Sequence, residues 1–413
     1  MLLDTPAPAV HLSPRQHQIV GLLAEGKSDK EIASALQLSP ATVRTYLQRL
    51  YRRYGLQGRT HAVAVTFGAI YARGRQIHDE EPVMFDGAVT FDDNAYPPTV
   101  APSAAGLDPA AWAGRHRADI DELLHVHGAV LLRGFGVTDV AGFEQVARAL
   151  VDTLYGEYGD LPHEKDADVV YRSTPYPAEQ SILFHHESSH MPQWPTRQFF
   201  CCLQPSAGGG ATPLVDSRQV YSELPPRVRD RFERAGICYI RNFVEGLDVD
   251  WRQMFGTDDR SEVERRCREQ GVECEWLDDG TLRTRQRAPA VVRHPVTGEP
   301  VFFNQLLLHH PACLEDFTRD ALTALFGDDE AAFPRCATYG DGGLIDAETV
   351  HQVQAIHDRL ARRFSWQQGD IVVVDNMLVS HGRDPFTGSR KVVVAMGDMA
   401  QRRAFEAAAA SGN

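Results

Sequence analysis

The segment Ser181-Ile-Leu-Phe-His185-His186-Glu187 joins a short apolar run to two histidines and a glutamate. The apolar run predicts a β-strand that leads into the polar residues. Side chains at positions i and i+2 of a strand point to the same face, so His185 and Glu187 should share a face while His186 points away. The segment therefore predicts two metal-binding side chains directed into one site.

Two residues far downstream complete this pattern. His381 follows a predicted strand at Ile371–Val374, and Arg390 stands nine residues after His381. Two histidines and one carboxylate on one face of a metal are the ligands of non-haem Fe(II) oxygenases, which leave coordination positions open. The planar guanidinium of an arginine suits the far carboxylate of 2-oxoglutarate. A hydrolytic zinc site is the competing use of such ligands, but the chain has no HExxH helix and zinc leaves Arg390 without a role.

The charge of the 413-residue chain is unevenly divided, and the length predicts two or three domains. The formal net charge is -14, yet residues 11–76 hold ten Lys/Arg and three Asp/Glu, which is a local charge of +7 and leaves -21 elsewhere. A basic head on an acidic body is expected when one part meets nucleic acid and the other does not. A basic head that is merely solvated is the alternative.

The cysteines and the start of the chain predict the compartment. The seven cysteines form no CxxC pair and show no disulfide-like spacing, which favours reduced thiols in the cytosol. Residues 1–10 lack the basic start of a signal peptide. No apolar run approaches the roughly 20 residues of a membrane span. We therefore predict a cytoplasmic protein without a membrane partner.

The basic head predicts four short helices. Capping boxes at Ser13-Pro14-Arg15-Gln16 and Ser28-Asp29-Lys30-Glu31 begin the first two, Ser39-Pro40 begins the third, and Arg59–Tyr71 is the fourth. The buried face of the third helix is predicted to hold Val43, Leu47, Leu50 and Tyr54. A polar, arginine-rich face beside it suits a major-groove recognition helix. The predicted DNA contacts are Thr42, Arg44, Thr45, Gln48, Arg49 and Arg52.

This head resembles the LuxR-type helix-turn-helix. The matching residues are Leu12-Ser13-Pro14-Arg15, Leu22-Leu23-Ala24-Glu25-Gly26, Glu31-Ile32-Ala33, Leu38-Ser39-Pro40, Thr42-Val43-Arg44, Tyr51, Arg59 and Ala62-Val63. The resemblance implies DNA binding, with a homodimer contact on the fourth helix. Ala41 stands where the family usually has lysine. The head could instead be a dimerisation or docking module.

The rest of the chain changes character after residue 76. Residues 77–105 are rich in acidic residues and proline, which predicts a linker or the irregular start of the next domain. Residues 106–413 mix α and β patterns, with an insertion of helices and loops predicted at Pro226–Gly280. Helices are predicted at Ala111–Val126 and Phe143–Leu154, and strands at Ala129–Leu132, Ser181–His185, Phe199–Leu203, Val301–Leu307, Ile371–Val374 and Lys391–Met396.

This body resembles the TauD/TfdA Fe(II)/2-oxoglutarate oxygenases, and within them the branch typified by the syringomycin-pathway hydroxylase. The matching motifs are His127–Phe135, Phe184–Glu187, Gly208–Arg218, Arg241–Phe243, Phe303–Gln305, Tyr339–Gly342, Gly369-Asp370, Asp375-Asn376 and His381–Arg390. The resemblance implies an α+β chain: an all-α helix-turn-helix domain at residues 1–76, followed after the linker by a double-stranded β-helix, or jelly-roll, with helical insertions.

The resemblance also implies the site. His185, Glu187 and His381 become the Fe(II) ligands. Arg390 and Thr212 become the partners of the C5 carboxylate of 2-oxoglutarate. Asn304 becomes an active-site polar residue.

The implied activity is hydroxylation of an unactivated C–H bond of an amino acid or amino-acyl group, free or tethered to a carrier protein, in specialised metabolism. It uses Fe(II), 2-oxoglutarate and O2. Glu187 favours hydroxylation over halogenation, because halogenases replace this carboxylate, while desaturation stays open. Ser188-Ser189-His190 stands where relatives often have Met-Ser-Tyr, so the substrate is not transferable. The alternative is a transcriptional regulator whose body senses 2-oxoglutarate, iron or a pathway metabolite.

Overall fold

The structure is a computed structural model that describes residues 22, 27–35, 43, 47, 85, 89–92, 95–156, 163–164, 167–173 and 176–402. The chain forms two compact units, residues 1–84 and residues 85–413.

In the first unit, all described residues except Lys27 and Ser28 are helical, at positions where the sequence predicts helices. Helix α1 spans Asp29–Ala35. Its capping box is confirmed, because Glu31 Oε2 accepts from Ser28 N at 2.7 Å and from Ser28 Oγ at 2.6 Å. Ile32 and Ala33 are buried, as are the helical residues Val43 and Leu47 of the predicted apolar face. The six predicted DNA contacts and most of the other three helices lie outside the described residues.

The second unit contains both helices and strands. Its described helices are α2 (Pro109–Arg115), α3 (Arg117–His127), α4 (Val140–Leu150), α5 (Ser217–Glu223), α6 (Pro226–Ala235), α7 (Trp251–Phe255), α8 (Arg260–Glu269), α9 (Leu306–His309), α10 (Asp316–Phe326) and α11 (Ala347–Leu360). Aspartate side chains cap six of them, which stabilises each by about 1 kcal/mol. These caps are Asp108, Asp139, Asp216, Asp250, Asp259 and Asp346.

The described strands of this unit are β1 (Val89–Asp92), β2 (Thr99–Pro102), β3 (Ala129–Leu132), β4 (Val170–Arg172), β5 (Ile182–His185), β6 (Gln193–Gln204), β7 (Gly208–Gly209), β8 (Leu214–Asp216), β9 (Ile237–Asn242), β10 (Glu273–Trp276), β11 (Leu282–Ala288), β12 (Val291–Arg293), β13 (Pro300–Phe302), β14 (Arg335–Tyr339), β15 (Ile371–Asp375), β16 (Val379–Arg383), β17 (Phe386–Thr387) and β18 (Lys391–Gln401).

Two sheets face each other across the main core. The larger has the order β1-β2-β3-β15-β6-β18-β4, antiparallel throughout except for the parallel pair β2–β3. The smaller has the order β5-β16-β8. Phe200, Val372 and Val394 of the larger sheet are buried with Leu214 and Val379 of the smaller one. Burying each such side chain stabilises the fold by roughly 1.5–3 kcal/mol. The two sheets form the double-stranded β-helix, and its predicted fold class is confirmed.

The polar stretch Pro226–Gly280 was predicted to hold helices and loops, and this is wrong for two segments. Strands β9 and β10 lie within it and join β11 and β14 in a four-stranded sheet of order β10-β11-β9-β14. Strand β11 shows why the sequence pattern did not predict this sheet. Its arginines Arg283, Arg285 and Arg287 alternate with more buried residues, so its apolar content is low although its period is that of a strand.

Other boundaries also differ from the predictions. Strands β1 and β2 pair in the large sheet, so these two segments of residues 77–105 belong to the body, as the alternative of an irregular domain start predicted. The helix predicted at Ala111–Val126 is two helices that meet at His116. The strand predicted at Val301–Leu307 ends at Phe302. The chain turns there because the Asn304 side chain accepts from Leu306 N at 3.0 Å.

Candidate metal and cosubstrate site

Alternation along β5 turns His185 toward the space between the two sheets. Phe184 is buried on the opposite face with Val353 and Ile356 of α11. His185 therefore faces the other way. On β16, His381 lies directly opposite His185 in the strand register, and the two ring centroids are 4.3 Å apart.

Glu187 completes the group that the sequence predicted. His185, Glu187 and His381 each offer one ligand atom, and these atoms all lie within 4.8 Å of one another. His185 Nδ1 lies 2.8 Å from Leu183 O and donates to it in the tautomer that leaves Nε2 for a metal. His381 Nδ1 is buried and has no hydrogen-bond partner among the described residues.

The protonation of His381 suits a metal ligand. Burial and the nearby His185 and His186 hold the pKa of His381 well below its ordinary value, so the ring is neutral at physiological pH. A neutral imidazole is the form that binds metal. Two imidazoles and one carboxylate around a shared point fit Fe(II), which takes this ligand set in oxygenases.

His186 points away from the group, as predicted. It is buried, with Nδ1 2.6 Å from Asn376 O and Nε2 2.8 Å from Ser217 Oγ. Burial lowers its pKa to about 3, so it acts as a neutral anchor for the end of β5.

Asn376 fixes the backbone of Glu187, and sequence reasoning assigned it no role. Glu187 N donates to Asn376 Oδ1 at 2.8 Å, and Asn376 Nδ2 donates to Glu187 O and Pro195 O, both at 2.9 Å. Both the oxygen and the nitrogen of the buried Asn376 amide therefore form hydrogen bonds. The signal in the sequence was the polar pair Asp375-Asn376, which directly follows the apolar run Ile371–Val374.

Asp375 supports the same corner of the fold. It accepts from Arg197 Nη1 at 2.7 Å and lies 3.2 Å from His294 Nε2. Burial raises the pKa of Asp375, but the hydrogen bond from His294 and the charge of Arg197 outweigh this and hold it below its usual value. The carboxylate therefore stays ionised and holds the turn before β16.

A cavity of about 460 Å³, counting its open mouth, contains the three ligand residues. It is lined by Ser173, Ile182, His185, Glu187, Gln198, Phe200, Thr212, His381, Gly382, Arg383, Arg390, Val392 and Val394. Gln198 was missed by the sequence analysis. Its Nε2 donates to Glu187 Oε2 at 3.4 Å, so it helps to orient the carboxylate.

Arg390 and Thr212 meet on the wall of this cavity, as the sequence predicted. Arg390 Nε donates to Gly210 O at 3.0 Å, and Nη2 donates to Thr212 Oγ1 at 3.5 Å. Trp366 Nε1 also donates to Thr212 Oγ1, at 3.2 Å, so the hydroxyl keeps its own proton for a ligand. A Cβ at Gly210, where φ is +72°, would lie 3.1 Å from Arg390 Cδ, so glycine lets the arginine reach this position.

Arg390 carries a charge that the described part of the chain does not neutralise. Burial, and to a smaller degree the neighbouring Arg383, lower its pKa to about 10, so it remains charged at physiological pH. No acidic side chain forms an ion pair with it among the described residues. Such a cation is prepared for a carboxylate ligand.

Asn304 is not on the cavity wall. Its Nδ2 donates to Ala290 O at 3.4 Å, and its backbone oxygen accepts from His186 N at 3.2 Å. The structure therefore gives Asn304 contacts with the backbone behind the metal ligands, and its predicted role as an active-site polar residue stays a prediction.

Comparison with known proteins identifies the body. The family model described as taurine catabolism dioxygenase TauD, TfdA family matches residues 92–396. The chain belongs to the TauD/TfdA family. This membership confirms the predicted Fe(II)/2-oxoglutarate-dependent dioxygenase, with Fe(II), 2-oxoglutarate and O2 as its cofactor and cosubstrates.

Two curated relatives match most of the body. The dapdiamide synthesis protein DdaC of Enterobacter agglomerans is 39% identical over 280 residues, which are 68% of this chain and 84% of DdaC. A clavaminate synthase-like protein of Arabidopsis thaliana is 29% identical over 325 residues, which are 74% of this chain and 94% of that protein.

The head matches a second family. The model of bacterial regulatory proteins, luxR family, covers residues 10–66, which confirms the predicted LuxR-type helix-turn-helix. The transcriptional activator protein BjaR1 of Bradyrhizobium diazoefficiens is 35% identical over 65 residues, which are 16% of this chain and 27% of BjaR1. The chain thus spans about a quarter of this regulator. Within the described residues, every helix is too short or too polar to traverse a bilayer.

Proposed function

We propose that this TauD/TfdA-family protein hydroxylates an unactivated C–H bond of an amino acid, or of an amino-acyl group tethered to a carrier protein, in specialised metabolism. One atom of O2 enters the substrate and the other enters succinate, while 2-oxoglutarate loses CO2. One observation carries the proposal: a single cavity holds His185, Glu187 and His381 together with the unneutralised Arg390 and the Thr212 hydroxyl.

Each side chain has one task in this proposal. His185, Glu187 and His381 hold Fe(II), which with 2-oxoglutarate supplies the activation of O2. Arg390 pairs with the far carboxylate of 2-oxoglutarate, and Thr212 donates its hydroxyl proton to the same carboxylate. The three-ligand set keeps its carboxylate, which favours hydroxylation over halogenation.

The apolar residues of the cavity serve the same reaction. Phe200 and Val394 are buried, and Val392 is 3% exposed. These side chains offer water no hydrogen bond, so they strengthen the attraction between Arg390 and a bound carboxylate.

A cluster of aromatic polar residues near the ligands supports a polar substrate. His190 follows Glu187 by three residues, and its ring centroid lies 5.6 Å from Tyr239 and 5.2 Å from His309. Burial and the charges of Arg335, Arg241 and Arg402 lower the pKa of His190 to about 3. These rings do not line the cavity, and we propose that this buried cluster of neutral hydrogen-bonding rings, set among arginines, positions the segment after Glu187 for the amino-acid part of the substrate. His190 stands at the position where TauD/TfdA relatives often have tyrosine.

The first test is an anaerobic titration of Fe(II) and 2-oxoglutarate into the full chain, followed by visible absorption. We expect a metal-to-ligand charge-transfer band in the wild type and a weakened band in Arg390→Ala. A folded wild-type protein that gives no band would refute the dioxygenase site.

The substrate assignment needs its own test. Succinate release is measured with free amino acids and with the same amino acids as carrier-bound thioesters, and product hydroxylation is read by mass spectrometry. We expect His190→Tyr to raise the substrate KM while the 2-oxoglutarate KM stays unchanged. An unchanged substrate KM would show that His190 has no role in substrate binding.

We also propose that the head, residues 1–76, binds DNA through Thr42, Arg44, Thr45, Gln48, Arg49 and Arg52. The family match over residues 10–66 supports this second function. The full chain should retard promoter DNA from its own gene neighbourhood, with affinity that falls steeply as salt rises. The Arg44→Ala/Arg49→Ala double variant should lose the shift, and Arg231→Ala in the body should keep it. No wild-type shift at low salt would favour the docking role.

A further inference from the structure

Arg383 is a second guanidinium in the cavity, and none of the roles above uses it. It stands two residues after His381 on β16, lines the same cavity and is 6% exposed. Burial lowers its pKa, against smaller opposing effects of Tyr176 and Glu179. A charged group this well buried needs partners, so its contacts define its role.

The terminal nitrogens of Arg383 hold one turn of the backbone. Nη1 donates to Tyr176 O at 3.1 Å, and Nη2 donates to Pro177 O at 2.5 Å and to Gln180 O at 2.8 Å. We call this turn, residues 176–180, the pocket turn. A second contact, from Phe386 N to Ala178 O at 2.8 Å, ties the same turn to β17.

Carbonyl groups accept hydrogen bonds from the terminal nitrogens of Arg383 but do not neutralise its charge. Its Nε is buried and has no hydrogen-bond partner among the described residues. No acidic side chain in the described part of the chain lies within ion-pair distance of it. Arg383 therefore retains both a positive charge and one unused donor inside the cavity.

Arg383 and Arg390 act on each other across Phe386. The Phe386 ring centroid lies 5.1 Å from Arg383 Cζ and 5.6 Å from Arg390 Cζ. Like charges this close repel, and Arg383 accordingly lowers the pKa of Arg390, although burial lowers it more. Glu187 is the only carboxylate among the described residues that line this cavity, and it is assigned to the metal, so the two cations favour an anionic ligand of more than one negative charge.

We propose that Arg383 is a positioning residue that couples binding of the dicarboxylate cosubstrate to the pocket turn. A bound dicarboxylate offsets the repulsion between Arg383 and Arg390. Arg383 is then held firmly, and its terminal nitrogens fix residues 176–180. Without the dicarboxylate the repulsion remains and the carbonyl contacts weaken. This inference rests on the proposed binding of 2-oxoglutarate in this cavity.

A merely structural role predicts something different. If Arg383 only tied the pocket turn to β16, its removal would loosen the turn equally with and without ligand. It would also leave the preference for a dicarboxylate unchanged. If Arg383 couples the two, the second carboxylate of the ligand should bind more tightly because of the charge of Arg383, and its binding should also order the pocket turn.

The test compares three variants in the anaerobic Fe(II) titration. Arg383→Gln removes the charge, and Arg383→Lys keeps it with fewer donors. Arg363→Gln is the matched control, because Arg363 is exposed and pairs with Asp384 next to Arg383. We expect Arg383→Gln to weaken 2-oxoglutarate binding by roughly tenfold, with a smaller loss in Arg383→Lys and none in Arg363→Gln.

Hydrogen exchange on the full-length wild type supplies the second readout. Amides of the pocket turn should gain protection with Fe(II) and 2-oxoglutarate, and less with Fe(II) and 2-oxopentanoate, which lacks the second carboxylate. Arg383→Gln should lose this difference. Because the wild type carries this readout, the proposal remains testable even if Arg383→Gln does not fold.

The outcomes separate the two proposals. No charge-transfer band in folded wild type would overturn the cosubstrate site and this inference together. A normal wild-type band, with equal 2-oxoglutarate affinity in Arg383→Gln and Arg363→Gln, would overturn the role of Arg383 alone. Equal protection of the pocket turn by the two keto acids would also overturn it.

Discussion

The metal-binding and carboxylate-binding parts of the cavity are built in opposite ways. Around Glu187, Asn376 satisfies the backbone and Gln198 contacts the carboxylate. Around Arg390, the chain supplies a carbonyl and a hydroxyl but no described counter-ion. Buried charges without an ion pair cost stability, so proteins keep them where a ligand supplies the opposite charge. At the metal ligands the fold is thus completed by its own groups, and at Arg390 the proposed cosubstrate would complete it.

The largest expected effect is on the metal ligands. His185→Ala, Glu187→Ala or His381→Ala should abolish turnover, because each removes one of three ligands. Circular dichroism should show that the variants stay folded, since Asn376 and His186 still hold the backbone. Succinate release at a substantial wild-type fraction in one variant would remove that residue from the ligand set.

The next effect concerns Arg390 and tests the other half of the comparison. Arg390→Leu should weaken 2-oxoglutarate binding by about 30-fold or more, as expected when one partner of a buried charged pair is lost. Without ligand, however, the variant should unfold at the same denaturant concentration as the wild type or at a higher one, because an uncompensated charge is gone. Marked destabilisation of the ligand-free variant would mean that the chain itself neutralises Arg390.

Asn376 should show the reverse behaviour with a smaller effect on binding. Asn376→Ala leaves Glu187 N and two carbonyls without partners, which should lower the free energy of unfolding by about 1–3 kcal/mol or more. Fe(II) affinity should fall roughly 10- to 100-fold, because Glu187 is no longer held in place. Urea unfolding and metal titration measure both quantities, with Arg363→Ala as the surface control. Loss of metal affinity without loss of stability would contradict the role given to Asn376.

The last effect leaves the cavity unchanged and is a pH dependence of stability from His357, whose ring stacks on Phe184 of β5. Burial lowers the pKa of His357 from 6.5 to about 4, against a backbone hydrogen bond to Val353. Below pH 6.5 the unfolded chain binds this proton and the folded chain does not, so stability falls as pH drops toward 4. The loss is about 1.4 kcal/mol per pH unit from this one group.

His357→Gln should flatten the decline of stability between pH 6.5 and 4, as measured by urea unfolding at each pH. His351→Gln is the control, because His351 is an exposed histidine on the same helix. An unchanged slope in His357→Gln would show that His357 is protonated in the folded protein.

The sequence predicted some elements well and others poorly, for physical reasons. Strand β5 was recognised because its apolar run leads directly into two ligands at positions i and i+2, so the whole pattern lies within a few consecutive residues. Strands β10 and β11 were missed because their exposed positions carry glutamate and arginine, which mask a period of two. Strand β13 was predicted too long, since Asn304 ends it through a contact with Leu306 N that composition does not reveal.

The sequence by itself determined the identities of the ligands, the presence of Arg390 and Thr212, and the division into a basic head and an oxygenase body. These follow from residue type and local spacing. Only the tertiary structure placed His381 beside His185. It also brought the Asn376 amide to the backbone of Glu187, and the carbonyls of the pocket turn to Arg383. Such contacts join residues that are distant in the chain, and they form only when the two sheets pack across their shared core.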